Sequence, residues 1–189
     1  TDILAGIASV GVINKVEIGT AITRIDGIGF KFNTDLVSVI FRDIENSSCT
    51  ITNGNTFKTC TSLTTCILPP TFLNIGEYCF EGCTSYISSD PIPDACTVVR
   101  EFSFQNCDKI TAVKIKSNIT TLNDYAFNSC DLLRSLTFNA SIAITTIPQN
   151  CFSNCALTSV AIPIQITTIQ NNGFQNNLYS LKNTPDLVN

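Results

Sequence analysis

The apolar residues of this chain recur with a nearly fixed period around a series of phenylalanines. Successive members of the series are 22 to 27 residues apart; an aliphatic residue lies five positions before most of them, and a cysteine three positions after most. The segments ITTLNDYAF, ITTIPQNCF and ITTIQNNGF show how similar the copies are. Such self-similarity predicts a solenoid of stacked coils. The series is Phe30, Phe57, Phe80, Phe104, Phe127, Phe152 and Phe174.

A second apolar block follows the cysteine and has the form apolar-x-x-apolar-x-apolar. Its last two apolar positions alternate with polar ones, which is the period of a half-buried strand. Pro69 and Pro163 directly follow two of these strands, where a missing N–H ends the pairing. Stacking therefore aligns the strands in a parallel ladder with a spacing of about 4.8 Å. Copies of the block are Leu36/Val39/Phe41, Leu63/Cys66/Leu68, Ile110/Val113/Ile115, Leu133/Leu136/Phe138 and Leu157/Val160/Ile162.

The pattern predicts one α/β-type repeat solenoid over residues 1–189, with about seven full coils of roughly 23 residues and partial terminal ones. We expect a parallel strand ladder on one face and short turns or helical turns on the other. Two segments depart from the pattern: 42–56 carries an insertion, and 86–97 loses the strand alternation. Pro91 and Pro93 in the second segment predict a locally broken ladder, because proline cannot donate a backbone hydrogen bond.

The repeating unit L-x-x-V-x-I-P…I-T-x-I-x-x-x-x-F-x-x-C resembles the BspA-like, or Treponema-type, leucine-rich repeat, which occurs in bacteria and in protists such as Trichomonas and Entamoeba. The resemblance extends from about Ile7 to Leu181. It implies a secreted or surface-bound protein that adheres to matrix, host cells or other microbes. The family has no shared binding motif, so the resemblance assigns no binding residue in this chain.

Five of the ten cysteines occupy one position of the repeat, which Asn33 and Asn177 occupy in the outermost copies. We expect a structural ladder in which each side chain is buried and hydrogen-bonds a backbone group of the turn. Stacked equivalent residues have parallel Cβ vectors, a geometry that disfavours disulfides between them. The cysteines of this ladder are Cys60, Cys83, Cys107, Cys130 and Cys155.

The remaining cysteines leave alternatives open. The sequence C-x-x-x-C occurs at Cys79/Cys83 and at Cys151/Cys155, but the two pairs lie three coils apart, which excludes a shared zinc site. A local disulfide within either pair remains an alternative to free thiols. Cys49 and Cys96 lie in the two irregular segments, so we expect these two to be the most exposed or bridged.

The composition argues against an enzyme and against nucleic-acid binding. The chain has no histidine, which removes the commonest general base and metal ligand, and it shows no phosphate-binding or dinucleotide motif. We therefore expect no catalytic residue, cofactor or metal. A net charge of −4 without a basic run gives no surface for nucleic acid. No apolar stretch approaches the ~20 residues that a membrane-spanning helix needs.

The outward positions of the strand ladder are the candidate binding face, since solenoids present such surfaces to partners. The alternative is a solvated sheet face without a ligand. Three N-x-S/T sequences at Asn46, Asn118 and Asn139 are candidate glycosylation sites. The candidate face comprises Lys15, Glu17, Ile40, Ile67, Lys114, Lys116 and Arg134.

We expect a non-enzymatic adhesion or recognition module that binds protein or glycan outside the cell. The chain contains no methionine and no signal peptide, so we expect a processed form or an excised piece. The leading alternative is a structural subunit that assembles head to tail, because the apolar start Ile3–Ile13 and the closing strand LYSL lack polar caps. A third is an intracellular scaffold, favoured if all cysteines are free.

Overall fold

The computed structural model describes residues 12–47, 49–51 and 54–177, which form a parallel β-solenoid of short strands joined by turns. Among these residues the one helix is the 3-10 helix Ile44–Asn46, so the expected helical turns are not found there. Of the two terminal segments that prompted the head-to-tail alternative, residues 3–11 and the whole of LYSL lie outside the described residues. The strands are β1 Lys15–Ile18, β2 Arg24–Ile25, β3 Ser38–Phe41, β4 Thr50–Ile51, β5 Thr65–Cys66, β6 Asn74–Ile75, β7 Val98–Val99, β8 Ala112–Ile115, β9 Thr121–Leu122, β10 Ser135–Phe138, β11 Thr146–Ile147 and β12 Thr168–Ile169.

The predicted strand ladder is confirmed on one face of the solenoid, and we call it the long ladder. It runs β1–β3–β5 and then β8–β10, with all neighbours parallel. In β8 the side chains of Val113 and Ile115 are buried, whereas Lys114 between them is exposed, as the alternation predicts. A strand expected around Val160 is not formed across 156–165, where pairing is kept only by the Ala156 N–H, which donates to the Leu133 carbonyl.

A second ladder of two-residue strands occupies another face, where the sequence predicts only turns. It consists of β2–β4, β6–β7–β9 and β11–β12. The aliphatic residues five positions before the phenylalanines are paired in it, for example Ile75 with Val99 and Ile147 with Ile169. A coil that contributes to both ladders therefore has a strand on two faces and a turn on the third.

The third face, which we call the turn face, carries the phenylalanine of each coil. The Phe80 N–H donates to the Ser103 carbonyl of the following coil at 2.7 Å, and the Phe104 N–H to the Ala126 carbonyl at 2.8 Å. Residues two before and two after the phenylalanine donate forward in the same way, and most have a left-handed backbone. Left-handed residues on both sides prevent the turn from continuing as a helix, which accounts for the missing helical turns. They include Asn55, Thr59, Gly82, Asn106, Ser129, Asn150, Asn154, Asn172 and Asn176.

The phenylalanine rings form a continuous stack through the core. Neighbouring ring centroids from Phe30 to Phe174 are 5.0 to 5.6 Å apart, and the ring planes are inclined to each other by 2° to 28°. The five rings between those two are fully buried. A single coil cannot bury such a ring on both sides, so each coil depends on its neighbours for its core.

The expected cysteine ladder is present beside the ring stack. Each thiol of the ladder donates to the carbonyl of the phenylalanine in the preceding coil, for example Cys83 to Phe57 and Cys107 to Phe80, both at 3.0 Å. Asn177 makes the equivalent bond to the Phe152 carbonyl at 2.7 Å. Burial raises the pKa of the Cys60 thiol to about 11, so the ladder thiol is protonated and can donate at neutral pH.

All ten cysteines are free and buried, including both C-x-x-x-C pairs. The expectation that Cys49 and Cys96 are exposed or bridged is wrong, because both side chains are turned into the core with at most 1% exposed. Their coils depart from the regular repeat, but the cysteine side chain still fills the core. Burial raises the pKa of each of these two thiols to about 11, which leaves little reactive thiolate.

The Cys/Asn ladder predicts a specific order of stability at position 107. Cys107→Ala removes the donor to the Phe80 carbonyl and leaves a small cavity, so we expect the free energy of unfolding to fall by about 1–3 kcal/mol. Cys107→Asn keeps a donor of the kind that Asn177 provides, and we expect a smaller loss. Urea unfolding followed by circular dichroism compares the two variants, and equal losses would contradict the proposed role of the thiol as a hydrogen-bond donor.

Candidate interaction surfaces

The outward side of the long ladder bears an aliphatic patch, which we define as Val37, Ile40, Ile67 and Ile87. Ile40 and Ile67 are adjacent, because they follow the register pairs Ser38–Thr65 and Val39–Cys66. Their exposed fractions are 39% and 68%, and that of Ile87 in the next coil is 66%. Single exposed aliphatics are normal on protein surfaces, but several on neighbouring coils, two of them adjacent, are typical of a contact site.

Lys15 and Glu17 belong to an ion cluster at one end of this face. The Glu17 carboxylate lies 2.6 Å from the Arg42 guanidinium and 3.0 Å from the Lys15 ammonium. Hydrogen bonds from Arg42 and then Lys15 lower the pKa of Glu17. Glu17 is also the register partner of Ile40, so the aliphatic patch is bordered by charges that are already paired.

Not all basic residues of the candidate face are available to contact a ligand. Lys114 and Arg134 are exposed on neighbouring coils. Lys116 instead turns towards the preceding coil, where its ammonium contacts Asp90 at 3.1 Å, Asp94 at 2.8 Å and the Ile92 carbonyl. Burial acts against the charged form of Lys116, yet its bonds to Asp94 and Asp90 outweigh this and raise its pKa.

The long ladder is interrupted at residues 86–97, as the prolines predict. Between β5 and β8 the described residues make one isolated bridge, Ser88–Ile110. The Thr111 N–H donates to the Ser88 carbonyl. In the next coil the corresponding N–H, that of Arg134, donates to the Thr111 carbonyl. Ser88 lies one position further along its coil than Thr111 does, so the segment contains one extra residue. Such a bulge bends the strand away from its partner.

A groove of about 300 Å³ lies between β5 and the displaced segment. Its walls combine aliphatic residues, such as Ile67, Leu68 and Ile87, with polar ones such as Thr65 and Ser88. The Tyr86 hydroxyl donates to the Cys66 carbonyl at 2.9 Å and so takes the place of a ladder hydrogen bond at the inner end. The sequence predicts the broken ladder but not the groove, because the path of the segment depends on Lys116 one coil away.

Aromatic residues on the turn face form a second stack, which was not predicted from the sequence. The rings of Tyr78, Phe102 and Tyr125 are half-exposed, with neighbouring centroids 4.7 and 4.9 Å apart. The Lys58 ammonium covers the outer face of Tyr78 at 4.1 Å. The signal was their shared position two residues before the phenylalanine of each coil. Since the rings cover one another, this stack offers mainly ring edges to a ligand.

The three candidate glycosylation asparagines lie in different surroundings. Asn46 and Asn118 are exposed, and their side-chain amides donate to the Asp43 carboxylate and the Asp94 carbonyl. Asn139 is half-buried at the end of β10. Glycosylation at these positions stays a prediction.

Across residues 12–47, 49–51 and 54–177, no group of three His, Cys, Asp or Glu is placed to hold a metal ion, and no helix is long and apolar enough to cross a membrane.

Solved structures of leucine-rich repeat proteins share the fold. A leucine-rich repeat protein of T. pallidum is 20% identical, with a TM-score of 0.70 over 84% of this chain and 74% of its own. A leucine-rich repeat protein of Bacteroides ovatus is 22% identical, with a TM-score of 0.74 over 85% of this chain. This chain covers 43% of the Bacteroides protein, less than half its length. No curated protein matches the sequence.

The family follows from the repeat itself. A family model described as "BspA type Leucine rich repeat region" matches residues 8–85 and 50–181, in six copies. These two matches together span most of the chain and contain the phenylalanine stack, the cysteine ladder and both strand ladders. The solenoid fold agrees with that of the two solved structures. The chain therefore belongs to the BspA-type leucine-rich repeat family.

Proposed function

We propose that this protein is a non-enzymatic adhesion or recognition module that binds a partner protein through the outward side of its long ladder. The main observation that supports this proposal is the aliphatic patch, above all the adjacent Ile40 and Ile67. Apolar side chains on a solvated face gain free energy when a partner covers them, at about 25 cal/mol per Å². The family and fold are typical of interaction modules rather than enzymes.

The chemistry of the face favours protein over glycan as its ligand. Glycan sites commonly use the open face of an aromatic ring, and the outward positions of β1, β3, β5, β8 and β10 carry none. Those positions bear short polar, aliphatic and charged side chains instead. The ions nearest the patch, Glu17 and Arg42, are already paired. An uncharged partner surface is therefore the better complement.

The proposed place of action is the cell surface or the extracellular space, as the family resemblance suggests. Ten free cysteines favour a reducing compartment instead, but their burial reduces that conflict. Burial raises the pKa of the Cys79 and Cys155 thiols to about 12, so these thiols present almost no thiolate to an oxidant while the protein is folded. A folded chain thus tolerates oxidising surroundings, although its folding requires reduced cysteines.

Binding to intact targets tests the proposal. We expect Ile40→Lys combined with Ile67→Lys to lower binding of the labelled protein to cultured cells, matrix or microbes by about tenfold or more, because the patch becomes charged. Ile164→Lys is the matched control, since Ile164 is 93% exposed and lies outside the patch. Protease treatment of the target should abolish binding. Loss after glycosidase treatment alone, or unchanged binding of the double variant, contradicts the proposal.

A second candidate function is head-to-tail assembly into a filament or surface layer, and the turn face favours it. The backbone N–H groups of Phe57, Phe80 and Phe104 each donate to a carbonyl of the following coil. The N–H groups of Asn172 and Phe174 occupy the same positions in the last described coil. A further coil, from the same chain or another copy, would be held by its carbonyls there. The contact is heterologous, so copies joined in this way form an open array.

Size-exclusion chromatography with light scattering tests this assembly. Head-to-tail contact predicts a mass that grows without limit as the concentration rises, because each added copy leaves a free end. Phe174→Lys places a charge in the ring stack of the last described coil and should stop the growth. Ile164→Lys should leave it intact. A constant monomer mass at high concentration contradicts assembly without affecting the adhesion proposal.

A further inference from the structure

We propose that the groove between β5 and residues 87–93 binds a short extended segment of a partner protein, which inserts an aliphatic side chain and pairs its backbone with the chain where β5 ends. This inference rests on the proposed function and specifies how the partner is held. It adds a site that the regular repeat does not contain, since the groove exists only where the ladder is interrupted.

The first support is the open strand edge. In the sheet β1–β3–β5 the strand β5 lies at the edge, and β8 lies at the edge of the next sheet. An open edge of this kind pairs readily with an added strand. On the side of the missing ladder, the Ile87 N–H donates to the Thr64 carbonyl and the Tyr86 hydroxyl donates to the Cys66 carbonyl. Alternate residues of a parallel strand direct their backbone groups to opposite neighbours, so pairing on this side is directed to the Cys66 N–H and to Leu68, which line the groove.

The second support is that the interruption is held in place. Lys116, with only 11% of its side chain exposed, bonds two carboxylates and one carbonyl of residues 90–94. Pro91 and Pro93 have no N–H and cannot re-form the ladder with β5. The segment is therefore fixed away from the strand, and the groove is a stable feature of the coil rather than a transient opening.

The third support is the size and chemistry of the groove. A volume of about 300 Å³ is at the lower end for ligand sites and suits one or two side chains. A helix, with a diameter of about 10–12 Å, is too wide for a gap left by one displaced strand. Ile67 and Ile87 form exposed aliphatic rims on both sides. Asp90, the charged residue among those that line the groove, is bonded to Lys116, so an uncharged segment fits best.

A library of random linear dodecapeptides, displayed on phage and selected on the folded protein, supplies the probe. We expect the enriched peptides to share aliphatic or β-branched residues and to shift the backbone amide signals of Ile67 and Leu68 in NMR spectra. Ile87→Lys changes only the far rim, and Ile67→Lys the near one. Each should weaken the affinity of the synthetic peptides by about tenfold or more, about 1.4 kcal/mol or more, while Ile164→Lys leaves it unchanged.

The variants separate failure of the groove from failure of the proposed function. Peptides that lose affinity with Ile40→Lys but not with Ile87→Lys bind the ladder face outside the groove; this overturns the present inference and supports the proposed function. Peptides insensitive to all of these changes overturn both. A selection that enriches no peptide, or enriches peptides that bind as helices, overturns the groove proposal.

Discussion

Each coil of this solenoid has an apolar side that it cannot bury alone, and the rest of the structure depends on this constraint. The phenylalanine rings meet the constraint by stacking at 5.0 to 5.6 Å, close to the spacing of the coils. The turn-face hydrogen bonds hold the same coils together from the backbone. The cysteine thiols add a third contact, from each ladder position to the carbonyl of the preceding phenylalanine. Side chain and backbone thus impose one register on the whole array.

That register explains why so much of the fold could be predicted from sequence. The spacing of Phe104, Cys107 and Val113 places each residue on its face, and the structure agrees. The second strand ladder was missed because two-residue strands leave no alternation to detect. Cys49 and Cys96 were misjudged since an irregular backbone does not imply an exposed side chain. The groove could not be predicted from the sequence, because its shape depends on a contact with Lys116 in the next coil. No local sequence pattern encodes that contact.

The regular coils and the irregular coil of residues 86–97 have different roles. Regular coils supply a stiff scaffold whose outward residues are mostly small, polar or paired in ion clusters. The coil of residues 86–97 gives up strand pairing and thereby opens the edge of β5 next to exposed aliphatic side chains. The interaction site that we propose thus lies where the repeat is interrupted, and contacts with the neighbouring coils give the interrupted segment a defined shape.

Native-state hydrogen exchange measured by NMR tests most directly whether the coils depend on one another. The N–H groups of Phe57, Phe80 and Phe104 all donate to the next coil from within the buried stack. If stacking is the constraint that holds the structure, these amides exchange only when the array unfolds, with one common free energy equal to that of global unfolding. Exchange of each amide with its own, much lower free energy would show that the coils are stable separately and would contradict the account.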